Sequence, residues 1–266
     1  MAFLSLPSSG KLADLASEAG LLEPSVVLGV LSPSAAWSML DSERAIYPAS
    51  MIKVPLAATC LLEAAAGRFS IADRVEISPA NMTANDAGSP LVPGYRATVE
   101  ELVRLAIERS DNVATNELLD LVGRARATEL AVQGLGLMHT RFSRKLSGSE
   151  PLIEDPGWDG VHRNAHPAAD AATLFVQIDA GVFAGASLLR DCLARQHWND
   201  KLSAGLKSGD RFAHKTGDTD EVTHDGGILL THEGRRYVLV VYTTMPSSPE
   251  NNARFGPFMR ALRARL

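Results

Sequence analysis

The sequence predicts an α/β protein whose sheet is assembled from both ends of the chain, with an all-α region inserted between them. Three observations lead there. Strand-like apolar runs occur near the start, "SVVLGVLS" (25–32), and again near the end, "GGILLTH" (226–232) and "RRYVLVVYTTM" (235–245). Segments with helical apolar spacing fill the middle. No run between about residues 55 and 205 reads as a strand. This order assigns 1–54 and 206–266 to a sheet domain and 55–205 to an all-α domain.

Taken in order, "SGKLADLASEAG" (9–20) carries helical spacing after a serine cap and stops at glycine. The strand 25–32 follows, then "RAIYPAS" (44–50), a short strand turning into a helix. Residues 51–66 form an apolar helix closed by Gly67. "MTANDAGSPLVPGYRA" (82–97) is rich in turn residues and reads as a long surface loop. "TVEELVRLAIERSDN" (98–112) opens with a threonine cap and has Glu101 three residues on, which is capping-box spacing. Helices over 112–123 and 127–136 follow. From Ser143 to Pro167 all periodicity stops, and a structureless segment of this length is often functional. Helices resume over 168–182 and 187–197. After "KSGDRFAHKTGD" come the two terminal strands and a last helix, 252–266.

The 266 residues suffice for a core that needs no disulfide or metal staple. Hydrophobic residues make up 45% of the chain and the formal net charge is −5, with no basic run, which excludes a nucleic-acid partner. The two cysteines, Cys60 and Cys192, make neither a disulfide framework nor a CxxC metal pair, and Cys60 sits in an apolar run as a small buried hydrophobe. No cofactor and no metal are expected. No apolar stretch of about 18 residues spans a membrane. The first twenty residues lack a charged region followed by a long apolar one, so no leader is read. The compartment is then the cytoplasm, or the chain is a trimmed secreted form. The expected partner is a small-molecule substrate, and the chain is expected to act as a monomer.

Ser50 and Lys53 stand three residues apart at the start of the apolar helix, on one face. A serine hydroxyl is a poor nucleophile until a base takes its proton, and a buried lysine whose pKa has fallen can be that base. The simpler reading is a serine cap followed by a solvated lysine. Ser110-Asp111-Asn112 lies between two helices, where all three residue types also make turns. His214-Lys215-Thr216-Gly217-Asp218 precedes the terminal strands and could merely start one. Each motif is weak alone. The set S-x-x-K, then S-D-N, then K-T-G, in this order, is a signature.

On these three motifs the chain resembles class A β-lactamase-like serine hydrolases of the penicillin-recognising group, along nearly its whole length. "SDNVATNELLDLVG", "TRFSRKL" and "HKTGDTDEVTHDGGI" extend the likeness. The resemblance implies a β-lactamase/transpeptidase-like fold, with an antiparallel sheet and flanking terminal helices. It implies Ser50 as the acylated nucleophile and Lys53 as its base. Ser110 would pass a proton to the leaving nitrogen, and Asn112 would hold Lys53 and a substrate amide. Lys215 and Thr216 would bind a substrate carboxylate within the Lys215-Thr216-Gly217 motif. The N–H groups of Ser50 and Asp218 would form the oxyanion hole.

The departures fall in two places. The family's loop glutamate, which activates the deacylating water, belongs two residues after Arg144, but Leu146 stands there. Glu150, followed by Pro151, is the best candidate, with Glu154 and Asp155 behind it; solvated loop acids are the plain alternative. Asp218 replaces a small residue and adds negative charge beside the carboxylate site. His224 and Asp225 form a pair near a strand start, as substrate contacts or as packing. His214 reads as a strand residue facing the helical region, Tyr95 as helix-start packing or cleft rim, and Trp158 as a loop anchor. Three functions compete: a β-lactam hydrolase, an esterase, amidase or D-amino-acid peptidase on the same scaffold, and a slowly deacylating β-lactam sensor.

Overall fold

The structure, a computed structural model, describes residues 6–32 and 36–266. Residues 1–5, on which part of the leader reading rests, lie outside the described residues. Helix α1 (Ser9–Glu18) starts where the Ser8 hydroxyl accepts from Lys11 N, and buries Leu12, Leu15 and Ala16. Strands β1 (Ser25–Ser32) and β2 (Trp37–Leu40) follow. Helix α2 (Lys53–Ala65) opens a helical region with α3 (Val99–Glu108), α4 (Asn112–Val122), α5 (Arg124–Glu129), α6 (Ala168–Ala180) and α7 (Ala186–Ala194). Within it, β3 (Arg74–Glu76) pairs antiparallel with β4 (Arg96–Thr98). The chain then returns as β5 (Arg211–Asp218), β6 (Thr223–Leu230) and β7 (Arg236–Tyr242), and ends in α8 (Pro249–Ala253) and α9 (Phe255–Arg263).

The main sheet has the order β2-β1-β7-β6-β5, with every neighbouring pair antiparallel. Its β7 shows why two helical layers are needed. Val238, Val240 and Tyr242 join the core shared with α2, α3, α4 and α6, while Tyr237, Leu239 and Val241 join a second core with α1 and α9. Alternate residues of a strand face opposite sides, so a strand apolar throughout must be covered on both. Among the described residues no helix is long and apolar enough to cross a membrane.

Three expectations need correction. Residues 44–50 are not a strand: the segment runs irregularly to Pro48 and enters a 3-10 turn over Ala49–Ile52. Pro48 has no N–H for a ladder, and Ala49 takes a left-handed φ of 47°. The inserted region is not purely helical, because β3 and β4 are three residues each and too polar to show a pattern. Finally, Lys215, Thr216 and Gly217 precede the two terminal strands β6 and β7 as read, but do not merely start a strand: they lie well inside one, β5, at the sheet's edge. The unpatterned loop over 143–167 holds no helix or strand, and a single bridge, Arg141 with Ala165, closes its neck.

Candidate active site

Ser50 sits in the 3-10 turn that leads into α2, where residues three apart are eclipsed, so Lys53 lies on the same side one turn on. Ser50 is half-buried, and among the described residues its hydroxyl makes no hydrogen bond. The edge strand β5 is pressed against this turn. A Cβ on Gly217 would stand 3.0 Å from Pro48 O and 3.3 Å from Ala49 Cβ. Glycine is therefore what lets the backbone of β5 approach the turn that carries Ser50.

Lys53 is 1% exposed. Its Nζ donates to Ser110 O at 2.6 Å, Ser110 Oγ at 3.2 Å and Asn112 Oδ1 at 2.7 Å. Burial, then the charge of Lys215, hold its pKa well below the ordinary lysine value. Lys215 is also fully buried and donates to Ser110 Oγ at 2.9 Å and Thr216 O at 2.9 Å. Burial pushes its pKa down to about 7, against the pull of Asp218. One serine oxygen thus bridges two lysines. Ser110 reaches them from the connection between α3 and α4 with a left-handed φ of 60°, a conformation that costs a non-glycine residue roughly 1–3 kcal/mol. Asp111 caps α4 by accepting from Ala114 N at 2.9 Å.

Asn112 is the first residue of α4. Its Oδ1 faces Lys53, its Nδ2 donates to Ala84 O at 3.0 Å, and its N–H is held by Asn85 Oδ1. The amide is thus fixed with one N–H still free. Five of the residues singled out from sequence, Lys53, Ser110, Asn112, Lys215 and Thr216, share this chain of contacts, and Gly217 lies against the turn that carries Ser50.

Glu150 does not join the set. It is exposed and makes no hydrogen bond among the described residues. Glu154 is exposed as well. Asp155 is committed to structure: it pairs with Arg124 and accepts from Lys145 N at 2.7 Å. The 143–167 loop is instead held by residues that carried no sequence signal. Asn116 imitates a strand partner to Leu146, accepting from its N–H at 2.8 Å and donating to its carbonyl at 2.9 Å. Asn164 closes the neck, accepting from Ser143 N and Arg144 N and donating to Arg144 O. Asn116 stands one turn beyond Asn112 on α4, a spacing that could have marked it. Nothing in the sequence marks Asn164. Trp158 is half-buried, under the Arg144 guanidinium at 4.7 Å, and donates to His162 O at 2.8 Å.

The far end of β5 departs from the sequence reading. Asp218 does not present a bare negative charge. Its Oδ1 accepts from Lys201 Nζ at 2.6 Å, Ser247 Oγ at 2.6 Å and Thr223 Oγ1 at 3.2 Å. Burial acts to raise its pKa, but Lys201 and Ser247 outweigh it and the net shift is downward. Lys201 was missed because a lone lysine in a polar stretch looks solvated.

His224 and His214 are structural. Thr243 N donates to His224 Nδ1 at 3.2 Å, so Nε2 carries the proton and donates to Tyr47 O at 2.8 Å. Burial pushes the His224 pKa down to about 4, and its ring stacks on Tyr242. Asp225 accepts from Leu202 N at 2.9 Å and faces His214 Nδ1 at 2.7 Å. His214 is buried and reaches Ser203 and Asn199 on the segment before β5, on the side of the sheet away from the helical region's core. Tyr95 is exposed and donates to Glu101 of α3 at 3.0 Å, away from any cleft contact.

Comparison with known proteins gives a consistent set of likenesses. Residues 8–262 match the beta-lactamase enzyme family. A beta-lactamase of Rhodobacter capsulatus is 28% identical over 150 residues, covering 56% of this chain and 50% of that protein. The chain thus spans about half the length of that curated relative. Among solved structures, PBP-A superposes with a TM-score of 0.83 at 25% identity, covering 98% of each chain. A PBP-A mutant solved as an acyl-enzyme complex with penicillin G superposes at 0.80 with 26% identity, over 98% of this chain and 97% of that one.

Proposed function

Because the chain belongs to the beta-lactamase enzyme family, we propose that it is a serine hydrolase that opens β-lactams through an ester on Ser50. The observation that carries the mechanism is the Ser110 hydroxyl held between Lys53 and Lys215. Neutral Lys53 takes the Ser50 proton as Oγ attacks the ring carbonyl. The developing oxyanion lies against the N–H groups of Ser50 and Asp218. The C–N bond of the ring then breaks. The proton now on Lys53 passes through Ser110 to the departing nitrogen, which the short contacts from both lysines to one oxygen support. Asn112 keeps Lys53 in place through Oδ1 and offers its free N–H to a substrate amide. Lys215 and Thr216 take the polar group beside the ring. All these residues come from one chain, and we take the working unit to be a monomer.

Glu150 is the carboxylate we propose for the deacylating water. Asp155 is tied to Arg124, whereas Glu150 stands two residues after Gly148, whose Cα lies against the Asn112 amide: a Cβ there would be 3.1 Å from Nδ2. The exposure of Glu150 favours a second reading, in which the ester forms quickly and leaves slowly. A time course with a chromogenic β-lactam, followed by absorbance and intact mass together, separates the two. Continuous turnover supports the hydrolase, a lasting mass increase supports the slow form, and neither signal would refute acylation by β-lactams.

A further inference from the structure

A cavity of about 550 Å³ opens between the neck of the 143–167 loop and the segment that leads into the turn of Ser50. That volume suits a small organic molecule. Ser50, Lys53, Ser110 and Lys215 do not line it. Ile46 and Tyr47 give one wall an apolar surface, and Ala165 and Pro167 do the same for the other. Arg141, Arg163 and His166 supply polar groups to the same space.

His166 is 1% exposed, and its hydrogen bonds fix its tautomer. The Thr140 hydroxyl donates its one proton to Asp170 Oδ2 at 2.8 Å, since a carboxylate only accepts. Thr140 Oγ1 therefore accepts from His166 Nδ1, also at 2.8 Å, and that nitrogen carries the ring proton. Burial pushes the His166 pKa down to about 3, so the ring is neutral and Nε2 holds a bare lone pair. Nε2 makes no hydrogen bond among the described residues, yet it is not sealed off: it opens onto the cavity that His166 lines. Whatever sits beside it must bring an O–H or N–H, because a buried acceptor left unpaired is costly.

The guanidiniums ask for the opposite. Arg163 lies over the Tyr47 ring at 3.9 Å and is anchored on Glu221 at 2.7 Å. Arg141 donates to Thr140 O at 2.7 Å and has no carboxylate partner among the described residues. A guanidinium has five N–H groups in a planar fork, so Arg141 keeps four of them for an acceptor such as a carboxylate. Glu43 also lines the cavity and repels a second acid group.

We propose that this cavity is a second ligand site, which takes a small organic monoacid carrying its own O–H or N–H donor. The carboxylate lies on Arg141, the donor on His166 Nε2, and an apolar body fills the space between the walls. The site is separate from Ser50 and does not depend on the reaction read there.

The test is to titrate benzoate, 3-hydroxybenzoate and 4-hydroxybenzoate at neutral pH into the isotope-labelled full chain and to follow its amide NMR shifts. The three share an acid and an apolar ring and differ by one hydroxyl. The shifts should map to residues 45–47, 141 and 163–166. At least one hydroxy acid should bind about three- to tenfold tighter than benzoate, the size of one neutral hydrogen bond. His166→Phe should remove that advantage. It also takes a donor from Thr140, so Arg141→Gln, at an exposed side chain, is made as well. That variant should weaken all three compounds by about tenfold, the size of a hydrogen bond to a charged group. The proposal is overturned by an absence of shifts around the cavity, or by benzoate binding the wild-type protein as tightly as both hydroxy acids. A hydroxyl advantage that survives in folded His166→Phe, or affinities unmoved in Arg141→Gln, overturns it equally.

Discussion

Lys53 and Lys215 converge on one oxygen, Ser110 Oγ, at 3.2 and 2.9 Å. The two ammonium nitrogens are thus at most about 6 Å apart. Two unit charges at that separation repel by roughly 3 kcal/mol at an effective dielectric constant of 20. Both groups are buried, which disfavours charge further. One lysine therefore gives up its proton, and Lys53, one turn on from Ser50 and with its pKa held well below the ordinary lysine value, is the one in position to use the freed base.

Removing the hydroxyl proposed as nucleophile should remove all chemistry. Ser50→Ala should take up no mass from a β-lactam or a fluorophosphonate. Lys53→Ala should still be labelled, but about 10²–10⁴-fold more slowly, the usual contribution of a positioned base. A covalent adduct in Ser50→Ala would place the nucleophile elsewhere.

The lysines also set a pH profile. A lysine with a depressed pKa is charged only below it. The proposed acylation needs Lys53 neutral, so its rate should fall as pH drops through the lowered Lys53 value. Attraction of an anionic substrate needs Lys215 charged, so acylation by penicillin G should also weaken as pH rises through about 7. Penicillin G carboxamide, which lacks the negative charge, should keep the acid limb and lose the alkaline one. An alkaline limb of equal size for both compounds would mean that Lys215 does not sense the substrate's charge.

The loop neck gives a third expectation. Asn164 makes three hydrogen bonds that join residue 164 to 143 and 144, and it is 3% exposed. Asn164→Ala leaves those backbone groups unpaired, and each buried group so orphaned costs about 1–3 kcal/mol. The variant should melt lower and be cut by protease first between residues 147 and 163. A wild-type cleavage pattern would show that the bridge between Arg141 and Ala165 holds the neck alone.

How much of this was legible in the sequence depends on what each residue had to do. Strands β1 and β7 were readable because both are apolar, and β7 is buried on both faces. The extent of strand β5 was not legible because it is half polar: Lys215 reaches into the site, and His214 is held by Asp225. The motif residues were legible as a set, since serine, lysine and asparagine at those separations have few other reasons to occur together. Asn116, Asn164 and Lys201 were not, because each acts on backbone or on a distant carboxylate that only folding brings near. Asp218 was seen, but its charge was misjudged, because the partner that offsets it lies 17 residues upstream in Lys201.

Glu150 carries the last expectation. Activating a water at the Ser50 ester requires a carboxylate held at hydrogen-bond distance from that water. Here Glu150 is exposed and nothing among the described residues holds it. The ester should therefore form faster than it leaves. Wild-type protein mixed with a chromogenic β-lactam should give a burst of about one equivalent, the mark of a slow second step, and then a slower steady rate. The proposed acylation uses Lys53 and not the loop, so Glu150→Gln should leave the burst unchanged. If Glu150 reaches the water when the ester is present, the steady rate should drop further and the adduct should dominate the mass spectrum. Asp155→Asn weakens the pair with Arg124 and should lower the melting temperature instead. An unchanged steady rate in Glu150→Gln would remove Glu150 from the mechanism and leave Glu154 as the loop acid to test.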